Sequence, residues 1–355
     1  MPTQMVSCAL LSLYIINVIA FAGQIISTPI LIDAFKEGNS GVANPYFVTI
    51  LSAFSQCLIC LVYYLCTCPN CSSRFNLRSQ WQLMKLGFFW AIAYIVLAMV
   101  SSGDRTPVDL QAIFSQSNIP LTLLLTHFYI RRPLTPRQLW MSLIVVAGTL
   151  FTLIPIFISL KGDHADDLEV SLLWCVIYLL GSGLNSFSIV YNDKIMPTVN
   201  VTILELNLWA NFYQLLTSLA FFWVGFLPWL GISSSFHQWQ IDMSDSFSCF
   251  ILCSSPAYKA LIFVSFVTVN CVTGTAIIKY QSANHLTLIS SLAPPLSLTY
   301  WSVFSHISAL NMIFNYIGAV IIIGGIIYGH YDTSRSPSEH LREQLLINVT
   351  VAEDT

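Results

Sequence analysis

The chain has 355 residues, of which 55% are apolar and only 9% charged, with a formal net charge of −3. Mean hydropathy is +0.71, whereas about one quarter of a soluble domain is charged. A water-soluble globular protein is therefore excluded, and nucleic acid finds no basic surface to bind. The partner expected from this composition is a lipid bilayer; a small-molecule solute is the further expected partner, for a monomer or a homodimer.

Apolar runs fall at 7–31, 45–67, 83–101, 108–130, 138–160, 170–191, 203–229, 258–279, 284–305 and 311–330. Each is about long enough to cross a bilayer as a helix, and together they make ten predicted spans. The first reads as a span and not as a signal peptide, because Val6 to Ile32 is uncharged, longer than an h-region and preceded by no basic segment. With a cytosolic N-terminus, the inner segments hold ten of the fourteen Lys and Arg residues and the outer ones four: Lys36, Arg105, Lys161 and Lys259. This positive-inside bias puts both termini in the cytosol. The sequons at Asn70, Asn200 and Asn348 then face the cytosol and read as chance matches.

Span by span, polar residues interrupt the apolar background, which is costly in lipid and marks a cavity or an interhelical contact. Gln24 and Gln56 lie in the first two spans; Gln116, Ser117 and Asn118 in the fourth; Asn185 in the sixth; Asn211 and Gln214, with Asn207 on the same helical face, in the seventh; Asn270 in the eighth; Ser290 and Ser291 in the ninth. These are the candidate substrate-binding residues, and hydrogen bonds that hold the bundle together account equally well for about half of them. Glu205, at the inner end of span seven, is the candidate proton carrier, with the role of helix N-terminal dipole partner standing beside it. For Asp109, at the start of span four, the dipole role is the preferred one. The 231–257 connection carries Cys249 and Cys253 on the luminal side, where either a disulfide or two free thiols is consistent with the spacing. The CTCPNC run at 66–71 has no second ligand cluster to make it a metal site, and the glycines of span ten suit close helix packing.

The fourth and ninth spans share an interruption. SQSNIP (115–120) and SSLAPP (290–295) align Pro120 with Pro294 and Ser117 with Ser291, in the middle of both spans. Residues 1–160 and 170–330 are accordingly read as two five-helix repeats, followed by a cytosolic tail at 331–355. Five spans per repeat is odd, so the second copy is inverted. Inverted repeats with broken helices in matching places point to a secondary transporter with its site near the midplane.

The run QSNIPLTLLLTHFYIRRPLTPRQLWMSLIVVAG resembles the fourth-to-fifth helix signature of the drug/metabolite transporter superfamily. GSGLNSFSIVYND, LELNLWANFYQLLTS and SCFILCSSPAYKALIFVSF followed by HLTLISSLAPPLSLTYWSVF are similar, in order and spacing, to the chloroquine resistance transporter-like (CRT-like) family. The resemblance implies a ten-helix alternating-access transporter with a central cavity, in a vacuolar, lysosome-like or other endomembrane. The cargo it implies is amino acids, small peptides, glutathione or drug-like cations, often proton-coupled and with no cofactor. It also implies that Cys249 and Cys253 match the family's cysteine-bearing luminal loop.

No HExxH, P-loop or GxSxG motif occurs, so enzyme chemistry is not expected. A nucleotide-sugar carrier of the same superfamily is the nearer alternative and requires basic cavity residues for phosphate. A multispan receptor is the alternative from a different class and requires a cytosolic signalling surface, which these short loops do not offer.

Overall fold

The computed structural model describes residues 2–38, 44–67, 77–101, 105, 106, 111, 114–159, 165–199, 201–227, 231, 233–304 and 309–333. Asp109, the three sequons, the cysteine run beyond Thr67 and the tail beyond Thr333 lie outside them. In chain order the first helices are α1 (Pro2–Gly38), α2 (Pro45–Thr67) and α3 (Leu77–Val100). A 3₁₀ turn (Ser115–Ser117) then leads into α4 (Asn118–Leu125), a π turn (Thr126–Ile130) and α5 (Pro136–Ser159). After α6 (Ala165–Ile195) and α7 (Ile203–Ala220) come a 3₁₀ turn (Phe222–Phe226), α8 (Phe236–Leu252) and α9 (Ser254–Tyr280). The chain continues through α10 (Ala283–Ser290), α11 (Ala293–Phe304) and α12 (Ala309–Thr333).

The protein is all-α over its described residues, and a helix satisfies its own backbone groups where lipid supplies no water. Among those residues five segments are long and apolar enough to cross a membrane alone: Ala9–Phe35, Pro45–Cys66, Leu77–Val100, Leu173–Ile195 and Ser254–Tyr280. The expected spans at 108–130 and 284–305 are each divided into shorter helices. In α7, Glu205, Asn207, Asn211 and Gln214 occupy four of 18 positions, and it is not among those five.

Local signals set several helix starts. Pro45 and Pro136 open α2 and α5, where a missing N–H costs nothing. Thr135 and Gln138 cap α5 reciprocally: the Gln138 N–H donates to Thr135 Oγ1 at 3.3 Å and the Thr135 N–H to Gln138 Oε1 at 3.1 Å. Thr202 and Glu205 form the same capping box at α7. The 231–257 connection, read from sequence as a loop, contains α8, which Ser235 caps through the Gln238 N–H at 3.2 Å. Its buried side places Cys249 against Phe47 and Phe263 in the cluster joining α1, α2 and α9.

Helix α1 packs on α9, α3 on both α6 and α7, α2 on α7, α4 on α6, α11 on α1, and α5 on α12. Glycines permit the closest approaches. A Cβ on Gly87 of α3 would fall 2.5 Å from the Ala210 carbonyl oxygen and 2.8 Å from the Gln214 amide nitrogen of α7. Gly148 of α5 lies against Ile322 and the Gly318 carbonyl of α12 in the same way, and Gly325 against Ile144, whereas Gly324 meets nothing within 4 Å. Replacing Gly87 by Ala is expected to push α3 and α7 apart and cost about 1–3 kcal/mol, as overpacking against backbone does. Thermal unfolding in detergent measures it, and an unchanged midpoint would mean that the two helices slide freely.

Candidate functional site

A cavity of about 230 Å³ lies among α1, α2, α3, α6, α7, α9 and the two broken helices. Helical periodicity aims its lining: on α6, Tyr178, Ser182, Asn185, Ile189 and Asn192 recur every three or four residues along one face, and Trp90, Tyr94, Leu97 and Ser101 do so on α3. Of the residues singled out from sequence, Gln24, Gln56, Asn118, Asn185, Asn211, Gln214, Asn270, Ser290 and Ser291 line this cavity, and Gln116 and Ser117 do not. None of the described lining residues is Asp, Glu, Lys, Arg or His.

One wall is a connected amide network. Asn17 Nδ2 donates to Asn270 Oδ1 and to Thr273 Oγ1, both at 3.0 Å, and Asn17 Oδ1 accepts from Ser290 Oγ at 3.0 Å. Asn270 Nδ2 in turn donates to Gln24 Oε1 at 2.8 Å. Helices α1, α9 and α10 are thereby tied at the depth of the second break. Elsewhere along α9, Asn207 Oδ1 accepts from the lining residues Thr275 Oγ1 at 2.9 Å and Cys271 Sγ at 3.3 Å, which fixes α7 to α9. Beside it Asn211 Oδ1 and Gln214 Nε2, and Asn192 Oδ1 on α6, are buried with no protein partner.

The two broken helices meet directly. Proline has no N–H, so Pro295 leaves the Ser291 carbonyl without the donor that a continuous helix would supply. Gln116 Nε2 supplies it instead, at 2.9 Å, from the break in the other half of the chain. Ser117 Oγ donates to the Phe114 carbonyl at 2.6 Å and Ser291 Oγ to the Leu288 carbonyl, the same three-residue back-bond in both breaks. Ser117 is thus turned away from the cavity by its own backbone, and Asn118 takes the lining position while its Oδ1 accepts from Ser186 Oγ at 2.9 Å.

Ion pairing closes one end. Asp193, next to the lining residue Asn192, is 5% exposed and holds Arg132 Nη1 at 2.9 Å and the Ala283 N–H at 3.3 Å. This joins α6, the turn after the π segment and the start of α10. Thr126 Oγ1 adds a bond to Asn284 Oδ1 at 3.0 Å. At the other end Arg105 lies 4.2 Å over Trp174 and donates to the Met99 and Gly231 carbonyls at 2.8 and 3.0 Å.

Glu205 lies outside the cavity. One carboxylate oxygen accepts from the Thr202 N–H at 2.9 Å within the capping box, and the other from Tyr64 Oη at 3.4 Å. Glu205→Gln preserves the capping geometry and is expected to leave stability within about 0.5 kcal/mol, whereas Thr202→Ala removes the cap and costs about 1 kcal/mol; thermal unfolding of both variants measures the difference. Cys249 and Cys253 carry free thiols. Burial first, then the hydrogen bond to Cys253, pushes the Cys249 thiol up to about 11.

Sequence reasoning missed Asn192, Ser182, Tyr94 and Cys271 as lining residues. The three- and four-residue stripe through 182, 185 and 192 was the available signal for the α6 face.

Residues 13–255 match the CRT-like, chloroquine-resistance transporter-like family. No curated protein matches by sequence. A crystal structure of another protein, 16% identical, superposes with a TM-score of 0.50 over 92% of this chain and 99% of that one, which shows a shared fold and nothing more. With well over half of its length matched and a solute-sized cavity inside a bundle of membrane-spanning helices, the chain belongs to the CRT-like family of membrane transporters.

Proposed function

We propose that the protein is a secondary-active transporter with ten spans in two inverted five-helix repeats, 1–160 and 170–330, working by alternating access around the central cavity. The observation that carries this reading is the neutral, amide-lined cavity at the level of two proline-broken helices that touch through Gln116 and Ser291. The packing supports the repeat. Exchanging the two halves turns the α1–α9 contact into α6–α3 and the α4–α6 contact into α11–α1, while α2–α7 and α5–α12 map onto themselves. The matched serine back-bonds of the two breaks agree with it.

In this reading both termini and the 331–355 tail are cytosolic, 231–257 is luminal, and the membrane is vacuolar, lysosome-like or another endomembrane. Cys249 and Cys253, free thiols one helical turn apart in this structure, are proposed to pair as a disulfide once oxidised in the lumen. The proposed cargo is a small polar or amphipathic solute, with amino acids, small peptides, glutathione and drug-like cations as the first panel. The nucleotide-sugar alternative has less support, since the cavity's described lining offers no Lys or Arg to a phosphate.

Purified protein in sealed, acidified proteoliposomes tests the reading with radiolabelled members of that panel. Saturable uptake above protein-free vesicles is the expected result. No uptake of any member, by protein that is folded and inserted, overturns the transport proposal.

A further inference from the structure

The cavity's charge, as distinct from its shape, restricts what it accepts. Its described lining contains no carboxylate, ammonium, guanidinium or imidazole. Three charged groups near the ends of the surrounding helices are engaged elsewhere: Asp193 with Arg132 and the Ala283 N–H, Glu205 in its capping box, and Arg105 with two carbonyls and the Trp174 ring. An ion entering this space leaves water for a site of low dielectric with no counter-charge, which is strongly unfavourable. A solute without net charge does not meet that penalty.

The same walls are rich in groups that recognise neutral polar solutes. Asn and Gln each present donors and an acceptor, so they pair with an amide or with a zwitterion's ends equally well. Asn192 Oδ1, Asn211 Oδ1 and Gln214 Nε2 are buried without protein partners, in residues that are each 1% exposed. Two acceptors and one donor on lining residues are therefore unpaired, and an unpaired buried polar atom is costly until a side-chain rotation brings it to a partner. Phe21, Ile25, Trp90 and Phe263 add apolar surface to the lining.

We infer that the cavity selects solutes of zero net charge that carry both hydrogen-bond donors and acceptors, such as an amide-bearing zwitterion, and that it rejects cations and anions of the same size. The inference rests on the transport reading above and narrows its cargo. Among the described lining residues no carboxylate or imidazole is present to carry a proton.

Three amino acids of similar size test it: counterflow of radiolabelled L-glutamine, L-glutamate and L-lysine in proteoliposomes holding the full chain, with and without Asn211→Asp. Glutamine is expected to exchange at least tenfold faster than either charged amino acid. Asn211→Asp, nearly isosteric, is expected to shift the lysine-to-glutamine ratio at least tenfold towards lysine by supplying a counter-charge. Lysine or glutamate moving as fast as glutamine in the unmodified protein overturns the inference and leaves the transport reading standing, as does an unchanged ratio in Asn211→Asp. Failure of all three to move overturns this cargo class, and the wider uptake panel decides the transport reading separately.

Discussion

Replacing Arg132 by alanine is expected to lower stability by about 2–3 kcal/mol and to make the transporter leak. Asp193 is 5% exposed and Arg132 32% exposed. Removing one partner of a buried ion pair costs about 3–5 kcal/mol, because the remaining charge is left without compensation. Water reaching the exposed side of Arg132, and the Ala283 N–H that still donates to Asp193 at 3.3 Å, place the expected value below that range. The leak follows from position. The pair ties α6 to the start of α10 next to Asn192, which lines the cavity, so losing it loosens that end. Thermal unfolding and passive efflux of preloaded solute, both normalised to folded protein, check the two parts. A stability loss with wild-type efflux would make the pair a strut and not a gate.

The second large effect concerns the paired breaks. Gln116→Leu is expected to cost about 1–3 kcal/mol, because it leaves the Ser291 carbonyl without a donor in a residue that is only 4% exposed. Pro295→Ala restores an N–H four residues after Ser291, so the carbonyl regains a backbone partner and the helix is free to close. In that background Gln116→Leu should cost less than about 0.5 kcal/mol, a coupling on the order of 1–2 kcal/mol between two residues far apart in sequence. Pro295→Ala alone should hold or raise stability while slowing turnover per folded molecule at least tenfold, since a continuous helix resists the rocking that alternating access requires. Additive costs in the double variant would show that Gln116 does not serve the freed carbonyl.

These two predictions also mark what sequence patterning reaches. Apolar run length located α2 at its observed bounds, 45–67, because a span's length is set by the bilayer and its ends by charge and proline. Prolines placed both breaks, since the cost of a missing N–H is local and legible in one residue. Nine of the eleven polar residues singled out from sequence line the cavity, and they were legible because lipid penalises polar groups within apolar spans. What remained hidden depends on which helix faces which. Ser117 and Gln116 are neighbours in one break; the local back-bond to Phe114 turns the first away, and a carbonyl 175 residues distant engages the second. Helix α8 was hidden for a related reason, because it is held by the burial of Asp242, Ser246 and Cys249, the last in the cluster with α1, α2 and α9, and its 17 residues are shorter than a membrane span.

The central claim is that the cavity between the two breaks is the path of the solute, and filling it is the most direct test. Gly274 lines the cavity, and a Cβ there would meet only ordinary contacts, 3.6 Å from Leu286 and 3.8 Å from Asn17. Gly274→Phe should therefore fold and insert at wild-type level while placing a ring in the solute's space. Uptake per folded molecule in proteoliposomes is predicted to fall at least a hundredfold, on the order of 3 kcal/mol. Uptake at the wild-type rate by folded Gly274→Phe protein would contradict the account.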